Sequence, residues 1–493
     1  MTVYLCAYAT RIQTWLARTP KLKLVRGASQ ALRVETGIPA VQAWLDLNPH
    51  LAAVTICQDA GDVDGVVVLA AADAADADAA ALPLLRLLHE KLPGLPWAAW
   101  LHESDGYLRS FHAAEVGDPS VKRFSLLAST QEFGLARSCE SCRAETALGG
   151  SVHPHPEGPE GPDCRARRAQ ATPDSTWDAI PGKWPDDFDD LAREGGLAAT
   201  SETAPSPKGA VGRRDSRNHL ATIIADGNRI GSFFSHLAEA DPPQQGLRRD
   251  AVAILDEAIH EAVEIAAQAS GSTDATTKVA IPHYVGGDDV LVSVPAPVAW
   301  RFAATLASEF EARFRAGLTR SLLHNGEVSD QLLDEIGEVS LGIGMVFAHQ
   351  SHPFSDSQSL AHHAMKEAKR SQHGRAGAVG WVDLTAGDSR TDVHVVTAHQ
   401  IATELADSST EPATFALPPS ARQQLAMIVR DAPPVDGRSN KGVIADKLTD
   451  WSKRTNRSAG ADAEHLPAVL SRARWWPTTQ RTEPAHDEKE GRS

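Results

Sequence analysis

Short continuous apolar runs alternate along this chain with longer stretches whose apolar residues return every three to four positions. Thr2–Tyr8, Gly65–Ala71 and Pro96–Leu101 have the length and composition of strands. Ser29–Val34 falls in a helix after a lysine-rich segment, and Ala79–Lys91 crowds Leu82, Leu85, Leu87 and Leu88 onto one helical face. From Gly149 to Asn218 the pattern breaks down into Pro, Gly and charge, which bury too little apolar surface to order themselves. It returns at HLATIIADG, a strand ending at Asp226, followed by GNRIGSFF turning into a helix. Arg248–Gln268 spaces Val252, Leu255, Ile259, Val263 and Ala266 along one helical face. KVAIPHY and VLVSVP flank the turn GGDD as two strands. Helix Val298–Ala316, strand Val339–Ala348, helix Ser357–Gln372 and strand Ala376–Asp383 follow. His399–Leu405, Ala421–Val429 and Val443–Trp451 are helical, and the polar stretch 476–493 is expected to be disordered.

The order β-α-β-β-α-β, then α-β, is that of the ferredoxin-like split βαβ fold, the framework of polymerase and cyclase palms. The expected class is α+β. A compact α/β unit spans 1–125, a cysteine-containing region and linker 126–218, and a palm 219–390. A helical domain spans 391–475 and a tail 476–493. A chain of 493 residues exceeds one hydrophobic core, which agrees with several domains.

Composition narrows the function. The net charge of −16 argues against a general, charge-driven nucleic-acid binder, and no free DNA binding is expected. Lys21, Lys23 and Arg26 form at most a local basic patch. No apolar run reaches the length of a membrane span, and the N-terminus lacks the pattern of a signal peptide. Five cysteines, three of them clustered, are no disulfide framework and fit a reducing cytoplasm.

The chemistry gathers on three carboxylates. Asp226 closes the first strand of the second βαββαβ unit, and Asp288 and Asp289 sit at the tip of its central hairpin. First and third strands are neighbours in this topology, so the three converge. Carboxylates so crowded call for counter-charge, and two Mg²⁺ or Mn²⁺ ions with nucleotide phosphates are the usual answer. Gly286 and Gly287 permit a tight turn and close approach of phosphates. GGDD by itself is also an ordinary hairpin turn. The strand on each side, the carboxylate ending strand one and the downstream basic helix favour the metal site. The amides of Gly227, Asn228, Arg229 and Ile230 are candidates to face a triphosphate, with Asn228 adding a polar contact; the alternative is a plain strand-to-helix turn. Lys369 and Arg370, near the end of the third helix, are candidate grips for phosphates, whereas His362 and His363 read as surface or packing residues.

IIADGNRIG, HYVGGDDVLVSVP, LGIGMVFAH and AMKEAKRSQHGRAG, in that order, resemble the catalytic palm of the large subunit of type III CRISPR–Cas effector complexes. GGDEF diguanylate cyclases are more distantly similar. RIQTWLARTPKLKLVRGASQAL resembles the opening of that subunit's first, degenerate palm. The resemblance implies conversion of ATP to cyclic oligoadenylates with Mg²⁺ or Mn²⁺ held by Asp226, Asp288 and Asp289. It also implies partner effector subunits, and guide and target RNA that switch the reaction on. The first palm ends its first strand at Ala9-Thr10, and its acidic loop DAGDVDG does not reproduce GGDD, so Asp59, Asp62 and Asp64 are expected to be solvated turn residues. The chain starts directly at that palm, and no HD-type nuclease is expected. Relatives often carry two CxxC pairs binding zinc; here Cys139, Cys142 and Cys164 stand, Arg167 holds the fourth position, and His153 or His155 is the candidate replacement ligand. A metal-free loop is the competing reading there. For the whole chain the alternatives are a stand-alone GGDEF-like cyclase and a catalytically silent scaffold.

Overall fold

The computed structural model describes residues 1–126, 137–147, 158–171, 175–195, 218–239, 245–271, 276–325, 336–385, 392–432 and 441–477. Two compact units divide the chain, 1–399 and 400–493.

The first unit opens with strand β1 (Thr2–Ala9) and helices α1 (Ile12–Leu16), α2 (Leu22–Thr36) and α3 (Ile38–Asp46). Then come β2 (Val54–Ile56), β3 (Val66–Ala71), α4 (Ala74–Lys91), β4 (Trp97–Ser104), α5 (Tyr107–Val116) and β5 (Lys122–Leu126). The sheet order is β2-β3-β1-β4-β5, with every neighbouring pair antiparallel. Alternation along β1 divides its side chains. Val3, Leu5 and Ala7 face the main core with residues of α2 and α4, while Tyr4 and Cys6 join Trp100 and Tyr107 on the other face. Helix α6 (Pro162–Ala169) then packs against α2. The contact is close because Gly27 has no side chain, and a Cβ there would overlap the Arg167 carbonyl.

The second sheet follows from β6 (His219–Asn228), α7 (Ile230–Glu239), α8 (Gln245–Ser270), β7 (Ile281–Gly286), β8 (Asp289–Pro295), α9 (Ala299–Asn325), β9 (Ser340–His349), α10 (Phe354–Ser371), β10 (Ala378–Asp383) and β11 (His394–Thr397). Its order is β11-β10-β9-β6-β8-β7, parallel only between β9 and β10. Ala221, Ile223, Ile224 and Ala225 of β6 are wholly buried, as a strand covered on both faces requires. On the α10 side, Ile224, Tyr284, Leu291 and Val346 belong to the same core as Leu5 and Leu69 of the first sheet, so one apolar interior serves both sheets. Helix α10 sits directly on the strands because Gly344 and Gly380 are register partners; a Cβ on either would overlap a carbonyl oxygen of α10, Ala361 or Ala364.

Beyond residue 399 the described elements are helical: α11 (Ala398–Ala406), which straddles the division, then α12 (Pro419–Arg430), α13 (Lys441–Thr455) and α14 (Leu466–Trp475). Leu425, Ile444, Trp451 and Leu466 make the core of this unit. The buried Arg472 pairs with Glu404 at 2.7 Å and lies against the rings of Phe415 and Trp476. The tail from 478 lies outside the described residues.

Candidate functional site

β6 and β8 run antiparallel, with Ala225 opposite Val290, so the end of β6 meets the start of β8. That register brings Asp226 beside the tip of the β7–β8 hairpin, where Gly286 and Asp289 close a loop of two residues, Gly287 and Asp288. Gly287 has a φ of 62°, the conformation that the first position of such a loop favours and that glycine adopts without strain. Two residues upstream of the turn the strand pairing slips between Pro282 and Tyr284, a bulge of the kind that re-aims side chains next to functional sites. Asp288 leans across Gly227: a Cβ on that glycine would lie 2.7 Å from Asp288 Oδ2. Asp288 thus lies over the end of β6 at Gly227, the residue next in sequence to Asp226. Sixty-two positions apart in sequence, they share one patch.

The electrostatics follow from the crowding. Burial, and then the carboxylate of Asp226, push the Asp288 carboxyl well above the usual range. Burial, followed by Asp288 and Asp226, pushes Asp289 up to about 7, with Lys369 acting in the opposite sense. Lys369 reaches from α10 to place Nζ 2.7 Å from Asp226 Oδ2, and donates to the Gly227 carbonyl at 2.9 Å. Three acidic groups therefore face one lysine. The donor set, all oxygen and more acidic than its counter-charge, fits hard divalent cations such as Mg²⁺ or Mn²⁺.

The other candidates distribute unevenly. Gly286 and Gly287 form the hairpin tip, and Gly227 lies beneath Asp288. Asn228 is turned inward, 2% exposed, donating to Ser340 Oγ at 3.0 Å and to the Ala376 carbonyl at 3.3 Å, so its side chain ties β6 to β9 and the loop before β10 instead of reaching outward. Arg229 adopts a left-handed φ of 66° and pairs with Glu338 at 3.1 Å, immediately before Ile230 starts α7. Arg370 is exposed and pairs with Glu367, on a different face of α10 from Lys369. His363 is exposed, but His362 is half-buried and held below its usual pKa by burial and by Lys366 and Lys369, which places it beside the site.

One expectation about the first palm is corrected. Asp64 is no solvated turn residue: its side chain is 17% exposed and lies 3.5 Å from Arg33 Nε. Its Cβ is 3.4 Å from where a Cβ on Gly286 would stand, so the loop before β3 abuts the GGDD hairpin. Burial raises its carboxyl to about 6, Asp256 adding to the effect and Arg33 opposing it.

The cysteine cluster is a second site. Ligand atoms of Cys139, Cys142, Glu145 and Cys164 all lie within 4.8 Å of one another. His153 and His155 lie outside the described residues, and Glu145 stands where a fourth ligand was sought. Its carboxylate accepts from the Asp163 and Cys164 amides at 3.1 and 3.0 Å. A hydrogen bond from Cys164 and the Ala144 amide lower the Cys142 thiol, favouring the thiolate that a metal would take. Three sulfurs and a carboxylate suit Zn²⁺. Arg167, at the missing cysteine's position, turns away: it pairs with buried Asp163, donates to the carbonyls of Trp15 and Leu16, and stacks on Trp15. Glu145 follows Cys142 at the same spacing as Cys142 follows Cys139, a signal passed over when only Cys and His are read as ligands.

This geometry coincides with the one stretch that a family description covers. Residues 219–378 match the Cas10/Cmr2 second palm domain. Nearly the whole chain also shares its fold with solved Csm1 structures. Csm1 of T. onnurineus superposes with a TM-score of 0.51 at 12% identity, covering 97% of this chain and 70% of Csm1. A Csm1–Csm4 cassette in complex with cA4 gives 0.52 at 14% identity, with 96% and 69% covered. The Csm1–Csm4 subcomplex of the type III-A CRISPR-Csm interference complex gives 0.52 at 13%, with 97% and 70% covered. No curated protein matches the chain.

Proposed function

We propose that this chain is the Cas10-like subunit of a type III CRISPR effector complex and joins ATP into cyclic oligoadenylates when target RNA is bound. The observation that carries the reading is the convergence of Asp226, Asp288 and Asp289 at one sheet edge, inside the stretch that matches the Cas10/Cmr2 second palm. The cA4-bound Csm1–Csm4 cassette supports the product class, because a protein of this fold accommodates that ring.

Asp226, Asp288 and Asp289 would hold two divalent ions, which supply charge neutralisation and an activated 3′-hydroxyl. The chain's own residues do the rest. The Gly286-Gly287 turn leaves backbone uncovered where phosphates approach. Lys369 supplies the cation beside the α-phosphate's developing charge. The hairpin, pressed against Asp64 of the first palm, is held at a fixed height, so the acceptor and donor nucleotides meet in a pocket completed by both palms. Cys139, Cys142, Cys164 and Glu145 would hold a structural Zn²⁺. Other type III subunits and the guide RNA are the partners of this reading.

The test is incubation of the assembled complex with labelled ATP, Mn²⁺ and target RNA. Wild type yields cyclic oligoadenylates, and D288A/D289A yields none while assembling normally and keeping its melting temperature. Product from the double variant rejects the assignment.

A further inference from the structure

The ammonium of Lys369 occupies the ground that a metal ion would take. It lies 2.7 Å from Asp226 Oδ2, spends a second N–H on the Gly227 carbonyl at 2.9 Å, and is the cation that offsets the raised carboxyls of the hairpin. An ammonium so close to that oxygen takes one of its lone pairs and competes with any other cation for the carboxylate. The lysine stem reaches this position by lying flat over β9: a Cβ on Gly342 would overlap Lys369 Cγ and lie 3.0 Å from Cε. The four-carbon stem lies against the bare backbone of Gly342, which has no side chain to hold it. Gly342 is itself the register partner of Asp226, so stem and carboxylate share one rung of the sheet.

We propose that Lys369 is an exchangeable internal counter-ion: it neutralises Asp226 in the metal-free site, yields that carboxylate to a divalent ion, and then pairs with the nucleotide's phosphates. The inference rests on the two-metal reading above. It assigns one side chain two successive partners, so the lysine opposes metal binding and favours nucleotide binding. A residue that merely supports the site would favour both, and a simple phosphate ligand would leave metal binding alone.

The full-length chain, free of nucleotide, is titrated with Mn²⁺ and followed by electron paramagnetic resonance in wild type, K369M, K369R and D288N. K369M is expected to bind Mn²⁺ about threefold more tightly or better, since an ion pair and a nearby like charge are removed together. K369R keeps the charge and stays near wild type. In the second arm, with Mn²⁺ saturating and no target RNA, affinity for the ATP analogue AMPPNP falls about tenfold or more in K369M. Unchanged or weakened Mn²⁺ binding in K369M, with its melting temperature retained, overturns the proposal. So does AMPPNP affinity that is unaffected. A wild type whose Mn²⁺ binding is indifferent to D288N overturns the two-metal reading itself, an outcome distinct from the other two.

Discussion

Asp64 shows what burial does to a carboxylate that makes only part of an ion pair. Its side chain is mostly covered, Arg33 approaches no nearer than 3.5 Å, and its carboxyl is raised to about 6. A carboxyl with a folded-state value above the unfolded one, near 3.9, is disfavoured in its charged form by folding. Wild type therefore loses stability as pH rises from about 4 to about 6 and does not regain it above. Asp64→Asn removes the penalty. Its melting temperature should exceed wild type by about 1–3 °C at pH 7.5, with the gap closing by pH 4.5, as read by calorimetry at the two pH values. A gap that is larger in acid would mean that the pairing with Arg33 outweighs burial. Glu145 is the other residue whose environment decides its role. As an acceptor for the first-turn amides of α6 it needs only its oxygens, but as a metal ligand it needs the charge. Glu145 accepts from the Asp163 amide through Oε2 and from the Cys164 amide through Oε1, so Glu145→Gln removes the charge and keeps one of the two hydrogen bonds. Zinc content of the purified protein should fall at least severalfold in E145Q and be abolished in C139S, measured by elemental analysis; zinc retained in full by E145Q would exclude the carboxylate from the ligand set.

At the scale of elements, the glycines of LGIGMVFAH explain why α10 lies close enough to bring Lys369 to Asp226. Gly344 faces the Ala361 carbonyl, and Gly342 faces the lysine stem. Gly344→Ala forces the helix off the sheet. It should cost roughly 1–3 kcal/mol of stability and weaken AMPPNP binding, because Lys369 moves with the helix. Thermal unfolding and AMPPNP titration would show both losses, and a variant as stable as wild type would contradict the close packing. The elements that sequence reveals are those with a self-contained signal. β6, β8 and β9 are continuous apolar runs, the hairpin carries its two glycines, and α8 repeats its apolar residues every turn. β2, β5 and β11 lack such a signal: three to five residues long, and in β5 as polar as KRFSL, they are strands because a neighbour offers an edge. The site divides in the same way. Asp226, Asp288 and Asp289 are legible because topology alone brings β6 to β8. Asp64 pressing on Gly286 and Asn228 turned inward depend on how separately coded segments pack, which no local pattern records.

For residues 1–399 as a whole, the question is whether two sheets make two folding units or one. Leu5 and Leu69 share an apolar core with Ile224 and Leu291, so neither sheet could leave without exposing the other's interior. Arg248 fastens a second point. It projects from α8, 7% exposed, donates to the carbonyls of Asp59 and Ala60 at 2.9 and 3.2 Å, and lies over the rings of Tyr107, Phe111 and Phe234. The loop it holds, residues 57–65, is the one that delivers Asp64 to the hairpin. Arg248→Met keeps the apolar stem but leaves two carbonyls without their charged donor, a loss of roughly 2–4 kcal/mol. If the sheets form one cooperative unit, R248M should move the whole calorimetric transition of this region downward without splitting it, and AMPPNP binding should weaken although Arg248 is no part of the triad. If the transition instead separates into two, the two sheets fold independently, and the shared core is a contact between finished domains. The intrinsic fluorescence of Trp15 and Trp97, buried around the first sheet, and of Trp300 and Trp381, buried around the second, distinguishes these outcomes when single-tryptophan variants are followed through the same thermal scan.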